Sequence, residues 1–154
     1  MNTFDPSKYK ILTSAEYEVT DARGDIIFLD EAGEKPWTIT VASPGTKKAI
    51  KAKFEYEKAI NADLLAQTKG KKPALNEEAK AELRVDFLMK ITEGTNADNL
   101  VYDGQSGMDA LRAIYSDPFM DHVTSGVDTF HFKLGNFAPG SKTVSSSTSD
   151  SQPG

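Results

Sequence analysis

Two histidines and the aspartates beside them are the side chains whose types could support metal binding or acid–base chemistry. Asp121 directly precedes His122, and Asp128 lies three residues before His131. Imidazole nitrogens and carboxylate oxygens both bind zinc, and histidine transfers protons near neutral pH. On one helix, however, this spacing turns the two histidines about 180° apart, so they cannot bind the same ion. The spacing favours two histidines on different flanks of a helix, and we expect no metal and no cofactor.

Motifs of the common catalytic and nucleotide-binding sites are missing from the sequence. A nucleophile elbow needs Gly-x-Ser-x-Gly, whereas residues 104–108 read Gly-Gln-Ser-Gly-Met. The chain has no phosphate-binding glycine loop, no zinc-protease helix motif and no EF-hand loop. Cysteine is absent, which removes thiolate metal sites and cysteine nucleophiles. We therefore expect no catalytic residues. A small hydrolase or metal enzyme that uses His122, His131 and the nearby aspartates is the least favoured hypothesis for this sequence.

The composition is that of an acidic globular chain without a membrane segment. The 154 residues are 38% hydrophobic and 27% charged, with a net charge of −5. A run of about eighteen apolar residues, which a transmembrane helix requires, is absent. The N-terminal residues lack the basic and apolar regions of a signal peptide. We expect a cytosolic protein that has no membrane partner.

Lysines are concentrated in one part of the chain. Residues 46–72 contain eight lysines against three acidic residues, and no arginine. Such a stretch could meet phosphate, but arginine, the most frequent reader of base edges, is missing from it. The interleaved acidic residues favour a solvated helix followed by a basic loop. We expect no nucleic-acid partner.

The first third of the chain has the pattern of short strands. Segments 17–19 and 26–29 are rich in β-branched and aromatic residues, and an Asp- and Gly-containing turn separates them. A third segment alternates apolar and polar residues, which places Trp37, Ile39 and Val41 on one face of a strand. The sequence predicts a small N-terminal antiparallel β-sheet or hairpin that helices must cover.

About four helices are predicted to follow. The first begins after Thr46 and ends near Gln67, before the Gly- and Pro-containing segment 69–73. Its spacing predicts an inward face of four apolar side chains, namely Ile50, Phe54, Ile60 and Leu64. The second helix begins at Asn76 and has apolar residues on two sides, which predicts burial in the core or against a partner.

A short helix and a final amphipathic helix complete the predicted fold. The pair Asp117-Pro118 is a start signal for the final helix. Residues 138–154 contain few apolar side chains and are expected to form a disordered tail. The prediction is thus one α+β domain over residues 1–137, followed by that tail. The apolar stripe of the final helix consists of Phe119, Val123, Val127 and Phe130.

The C-terminal third resembles a known family. It contains, in order, Asp103-Gly104, Leu111, Ile114-Tyr115, Asp117-Pro118, Val123, Val127, Phe130 and Asn136-Phe137. This block resembles that of the small tail assembly chaperones of long-tailed, siphovirus-like bacteriophages, in which an Asp-Gly turn precedes two short helices and an Asn-Phe ending. The upstream layout of strands, a basic helix and an acidic helix is also similar, so the resemblance covers roughly residues 17–137.

The resemblance implies a binding role in the cytoplasm of a bacterial host. Such chaperones coat the tape measure protein until tail tube subunits polymerise around it, and a longer, frameshifted form recruits the tube subunit. The implied partners are the tape measure protein and the major tail protein, with self-association left open. The candidate contacts are two helical stripes: Leu83, Phe87, Ile91, Phe119, Val123, Val127 and Phe130. Ordinary core packing is the alternative role of both stripes.

A structural component of the tail or neck is the alternative function. A chain of this size with strands and helices would also suit that role. The two hypotheses differ in one observable, because a structural component stays in the finished particle and a chaperone leaves it.

Overall fold

The computed structural model describes residues 3–73 and 75–140, which form two small antiparallel sheets and four α-helices. The strands are β1 (Ser14–Glu18), β2 (Thr38–Ala42), β3 (Thr92–Thr95), β4 (Val101–Tyr102) and β5 (Gln105–Ser106). The helices are α1 (Lys47–Thr68), α2 (Glu77–Ile91), α3 (Gly107–Ser116) and α4 (Asp121–Phe132). The predicted α+β class is confirmed. The predicted tail falls largely on residues 141–154, which lie outside the described residues.

Strand β2 is the centre of the main sheet and is buried on both faces. It pairs antiparallel with β1 on one edge and with β3 on the other. Trp37, Ile39 and Val41 are buried on the face that the alternation predicts, and Thr38 and Ala42 are buried as well. A strand with two buried faces needs a layer of chain on each side.

The third strand of the main sheet does not come from the predicted segment. Residues 26–29 make two isolated bridges, and Ile27 shares backbone hydrogen bonds with Val19 and Trp37. The second edge of β2 is taken by β3, which follows α2 directly. Side chains hold this edge in place: Trp37 Nε1 donates to Thr95 Oγ1 over 2.9 Å, and Thr95 Oγ1 donates to the Thr38 carbonyl over 2.7 Å. The prediction of a strand at 26–29 is wrong in part, because the segment bonds to residues just beyond the ends of β1 and β2 but forms no continuous strand.

Two of the four α-helices begin at a residue whose side chain caps the helix. The Thr46 hydroxyl accepts from the Ala49 amide at the start of α1, and the side-chain Oδ1 of Asn76 accepts from the Ala79 amide at the start of α2. These bonds satisfy amides that have no partner inside the helix. Both predicted starts are confirmed.

The last helix begins later than predicted. Asp117 caps a 3₁₀ turn, Pro118–Met120, through a 2.9 Å bond from the Phe119 amide, and α4 starts only at Asp121. A 3₁₀ turn has about three residues per turn instead of 3.6. Phe119 therefore leaves the line of the α4 stripe.

The Asn-Phe ending closes the core. Phe137 is fully buried against the Phe130 ring, with 5.6 Å between ring centroids. Asn136 Nδ2 donates to the Phe130 carbonyl at the end of α4, and the Phe137 carbonyl accepts from the Leu12 amide. The ending thus ties the end of α4 to the N-terminal arm.

Candidate partner-binding site

Helix α1 packs on the body through its small side chains. Ala49, Ala52 and Asp63 are its buried residues, and Tyr56 contacts the Phe87 ring at 5.8 Å between centroids. Alanine lets two helix backbones approach closely, because it places only a methyl group between them. The inner face of α1 is therefore an alanine-rich seam against α2.

The predicted inward face of α1 is wrong. Ile50, Phe54 and Leu64 are exposed, and only Ile60 is half-buried. The alanine seam lies on the opposite side of the helix, and one helix cannot turn both faces inward. Large apolar side chains alone therefore misidentified the packed side.

An apolar stripe along the outer side of α1 is the candidate site. It consists of Ile50, Phe54, Leu64 and Leu65, which are 57%, 64%, 53% and 57% exposed. At about 100° per residue these four positions fall within an arc of about 100°. Phe54 and Leu65 also line a shallow cavity of about 430 Å³ together with Asn61. We call these four residues the α1 stripe.

Three polar contacts beside the alanine seam accompany this rotation of α1. Lys48 Nζ lies 3.1 Å from the Glu93 carboxylate, and Glu55 pairs with Lys90 Nζ at 3.0 Å. At the other end of α1, the buried Asp63 carboxylate accepts from the Leu75 amide at 3.0 Å, in the link to α2. Rolling the α1 stripe inward would break all three contacts.

The α2 candidates lie mainly in the interior. Phe87 is 6% exposed and Ile91 is fully buried, whereas Leu83 is half-buried beside the α1 seam. Val85 and Leu88 are buried too, so the prediction of an α2 buried on two faces is confirmed. The burial of Phe87 and Ile91 favours the alternative role of ordinary core packing over partner contact.

The α4 candidates divide in the same way. Val123, Val127 and Phe130 belong to the core, which again favours the alternative role of core packing over partner contact. Phe119 is 91% exposed because the 3₁₀ turn carries it out of the stripe. Of the seven predicted contact residues, Phe119 is the one with a freely accessible ring.

The two histidines have different surroundings. His131 is buried, and its Nδ1 donates to the Ala42 carbonyl over 2.8 Å, since a carbonyl oxygen only accepts. Burial lowers the pKa of His131 below its usual value. His122 is half-buried, and the neighbouring Asp121 accepts from Arg84 at 3.1 Å. In residues 3–73 and 75–140 no group of three or more His, Asp or Glu side chains is placed to hold a metal ion.

A polar cleft of about 380 Å³ lies between α2 and the start of α4. Arg84 occupies it and contacts Asp121, Ser125 and Asp128 at 3.1–3.6 Å. The hydrogen bond from Ser125, with a smaller contribution from Arg84, holds the pKa of Asp121 below its usual value. Arg84 and Asp121, at the centre of this cleft, are paired within the protein, so the α1 stripe is the better candidate for a partner.

Comparison with known proteins does not assign the chain to a family. No family model, curated protein or solved structure matches this chain. Among the described residues, no helix has the length and apolar character needed to cross a membrane.

Leu65 is the residue of the α1 stripe that the spacing argument missed, together with Asn61 beside it in the shallow cavity. The signal that could have found them is the recurrence of alanine at 49, 52, 59 and 66 on the opposite side of α1. Such a row marks the side of closest helix packing, and it leaves the large side chains facing outward.

Proposed function

We propose that this protein is a bacteriophage tail assembly chaperone that binds and solubilises the tape measure protein and helps to recruit tail tube subunits. The α1 stripe is the observation that carries the proposal, because a chaperone of a helical, aggregation-prone partner needs accessible apolar surface. The C-terminal block that resembles such chaperones supports the identity of the partner. The place of action would be the cytoplasm of the bacterial host.

Exposed apolar surface is the property that separates a holding chaperone from an ordinary folded chain. A fully buried Leu, Ile or Phe contributes about 1.5–3 kcal/mol to stability. Four such residues more than half exposed on one helix face forgo much of that contribution. A partner that covers this face would recover it, and the lysines along the helix would keep the free protein in solution.

Co-expression with the tape measure protein of the same genome tests the proposal. We expect the tape measure protein to become soluble and to co-elute with this chain. Phe119→Asp, at the other exposed candidate, tests whether that ring contributes to the same contact. If the tape measure protein still precipitates and this chain is found stoichiometrically in finished particles, the chaperone proposal fails and a structural tail component replaces it.

A further inference from the structure

Lysines border the α1 stripe. At about 100° per residue, Lys47, Lys51 and Lys58 lie along one side of it, and Lys53 lies on the other side. All four are exposed; Glu57 lies within the strip, and Glu55, which pairs with Lys90, lies beside Lys51 and Lys58. The surface is therefore an apolar strip with a basic border.

We propose that the α1 stripe docks an amphipathic helix of a partner protein whose apolar side is bordered by Asp and Glu. The apolar side would cover Phe54 and Leu65, and the acidic border would lie against Lys51 and Lys58. Apolar contact supplies most of the affinity in such pairings, and charge complementarity selects the partner and its orientation. The identity of the partner rests on the proposed chaperone function, whereas its chemistry rests on α1.

A second copy of this chain is a poorer occupant. Two α1 helices packed face to face and antiparallel about a twofold axis would bring their lysine-rich sides, Lys51 and Lys58, together. A parallel pair would set that side against Lys53 of the other copy. Like charges in either arrangement oppose association, whereas an acidic partner helix meets opposite charge.

An anionic lipid surface is also a poorer occupant, because polar residues interrupt the middle of the strip. Glu57 and Asn61 lie between Phe54 and the pair of leucines at 64 and 65 on the exposed side of α1. Burying an amide or a carboxylate in lipid without a hydrogen-bond partner is costly. A partner helix that carries a polar residue such as glutamine opposite Glu57 and Asn61 can donate hydrogen bonds to them, which a lipid surface cannot do.

Binding of designed peptides to the full chain tests the proposal. The probes are three labelled helical peptides: one with a leucine stripe bordered by glutamate, one with the same stripe bordered by lysine, and one with the glutamates kept and the leucines scattered. Fluorescence anisotropy measures each dissociation constant. We expect the glutamate-bordered peptide to bind at least about tenfold more tightly than either of the others at low salt, and to weaken as salt screens the charges.

Variants of matched exposure locate the surface. Leu65 and Leu134 are both 57% exposed, but Leu134 lies on the 3₁₀ turn Leu134–Phe137. We expect Leu65→Glu to weaken binding of the glutamate-bordered peptide at least tenfold and Leu134→Glu to leave it unchanged. The double variant Lys51→Glu/Lys58→Glu should reverse the preference towards the lysine-bordered peptide. Circular dichroism verifies that each variant is folded.

Several results would overturn the docking proposal. One is that the glutamate-bordered and lysine-bordered peptides bind with equal affinity, or that neither binds. Another is that Leu65→Glu does not weaken binding of the glutamate-bordered peptide. Light scattering measures the oligomeric state. If the wild-type chain is a dimer and Leu65→Glu is a monomer, the occupant of the α1 stripe is a second copy of this chain. Stronger binding to phosphatidylglycerol vesicles than to any peptide, lost in Leu65→Glu, would make lipid the occupant.

The docking proposal and the chaperone proposal can fail separately. If Leu65→Glu still solubilises the tape measure protein as the wild type does, the chaperone function stands and the docking site is wrong. If the glutamate-bordered peptide binds through Leu65 but the tape measure protein stays insoluble, the docking site stands and the chaperone function is wrong.

Discussion

Helices α1 and α4 both carry rows of large apolar side chains, yet the fold buries the row on α4 and exposes the row on α1. On α4, Val123, Val127 and Phe130 pack into the core beneath β2. On α1, alanines make the packing contact, and Phe54 with its neighbours faces outward. An apolar row therefore identifies side chains that gain from leaving water, but it does not tell whether the fold itself buries them.

The largest expected difference between the two helices is in stability. Phe130→Ala should lower the free energy of unfolding by about 3–5 kcal/mol, because it leaves a cavity beside Tyr17 and Phe137. Phe54→Ala removes the same atoms from an exposed site and should change the free energy of unfolding by less than about 0.5 kcal/mol. Chemical denaturation measures both, and equal losses would contradict the assignment of the two faces.

A second difference is how tightly α4 packs. A methyl group on Gly126 would lie 2.0 Å from the Tyr17 hydroxyl oxygen, so one of the two must move. Gly126→Ala should therefore destabilise the protein by about 1–3 kcal/mol, although alanine by itself favours a helix by about 1 kcal/mol.

A double-mutant cycle with Tyr17→Phe tests that cause. Removing the hydroxyl should recover part of the loss caused by Gly126→Ala, because the closest contact disappears. If the two substitutions are strictly additive in thermal or chemical unfolding, crowding by Tyr17 is not the reason for the loss.

The buried histidine of α4 should make stability depend on pH. The pKa of His131 is lowered chiefly by burial, so between that lowered value and about 6.5 the unfolded chain binds a proton that the folded chain does not. Stability should therefore fall as pH drops below about 6.5, by at most about 1.4 kcal/mol per pH unit.

Denaturation midpoints between pH 7.5 and 5.5 measure this effect. This window lies above the usual pKa of Asp and Glu side chains, which is roughly 4. His131→Gln should flatten the dependence, whereas His122→Gln, at the half-buried histidine, should keep it. If the stability of His131→Gln still falls between pH 7.5 and 5.5, a group other than His131 takes up the proton.

The smallest expected effect concerns the orientation of α1. The Lys48–Glu93 ion pair is solvent-exposed on the lysine side, so Lys48→Gln should cost only about 0.2–1 kcal/mol. The loss should disappear at about 1 M salt, where the screening length is about 3 Å. A larger, salt-independent loss in unfolding experiments would show that the ion pair, rather than the alanine seam, sets the rotation of α1.

Local chemistry made several features predictable. The starts of α1 and α2 follow from Thr46 and Asn76, and the alternation at 37–41 indicated a buried strand. The Asp103-Gly104 turn was also readable: both residues have positive φ, which suits the tight hairpin between β4 and β5. These features depend on a few neighbouring residues, so no distant contact is needed to infer them.

Long-range contacts decided the rest. The sequence by itself determined where the helices of the α+β fold form and that α1 and α4 each carry an apolar row. Only the tertiary structure decided that β3 completes the sheet, that the α4 row is core and that the α1 row is surface. The physical reason is that hydrophobicity specifies which side chains gain from leaving water, whereas the packing of Ala49 and Ala52 on α2 specifies which side of α1 the protein itself can cover.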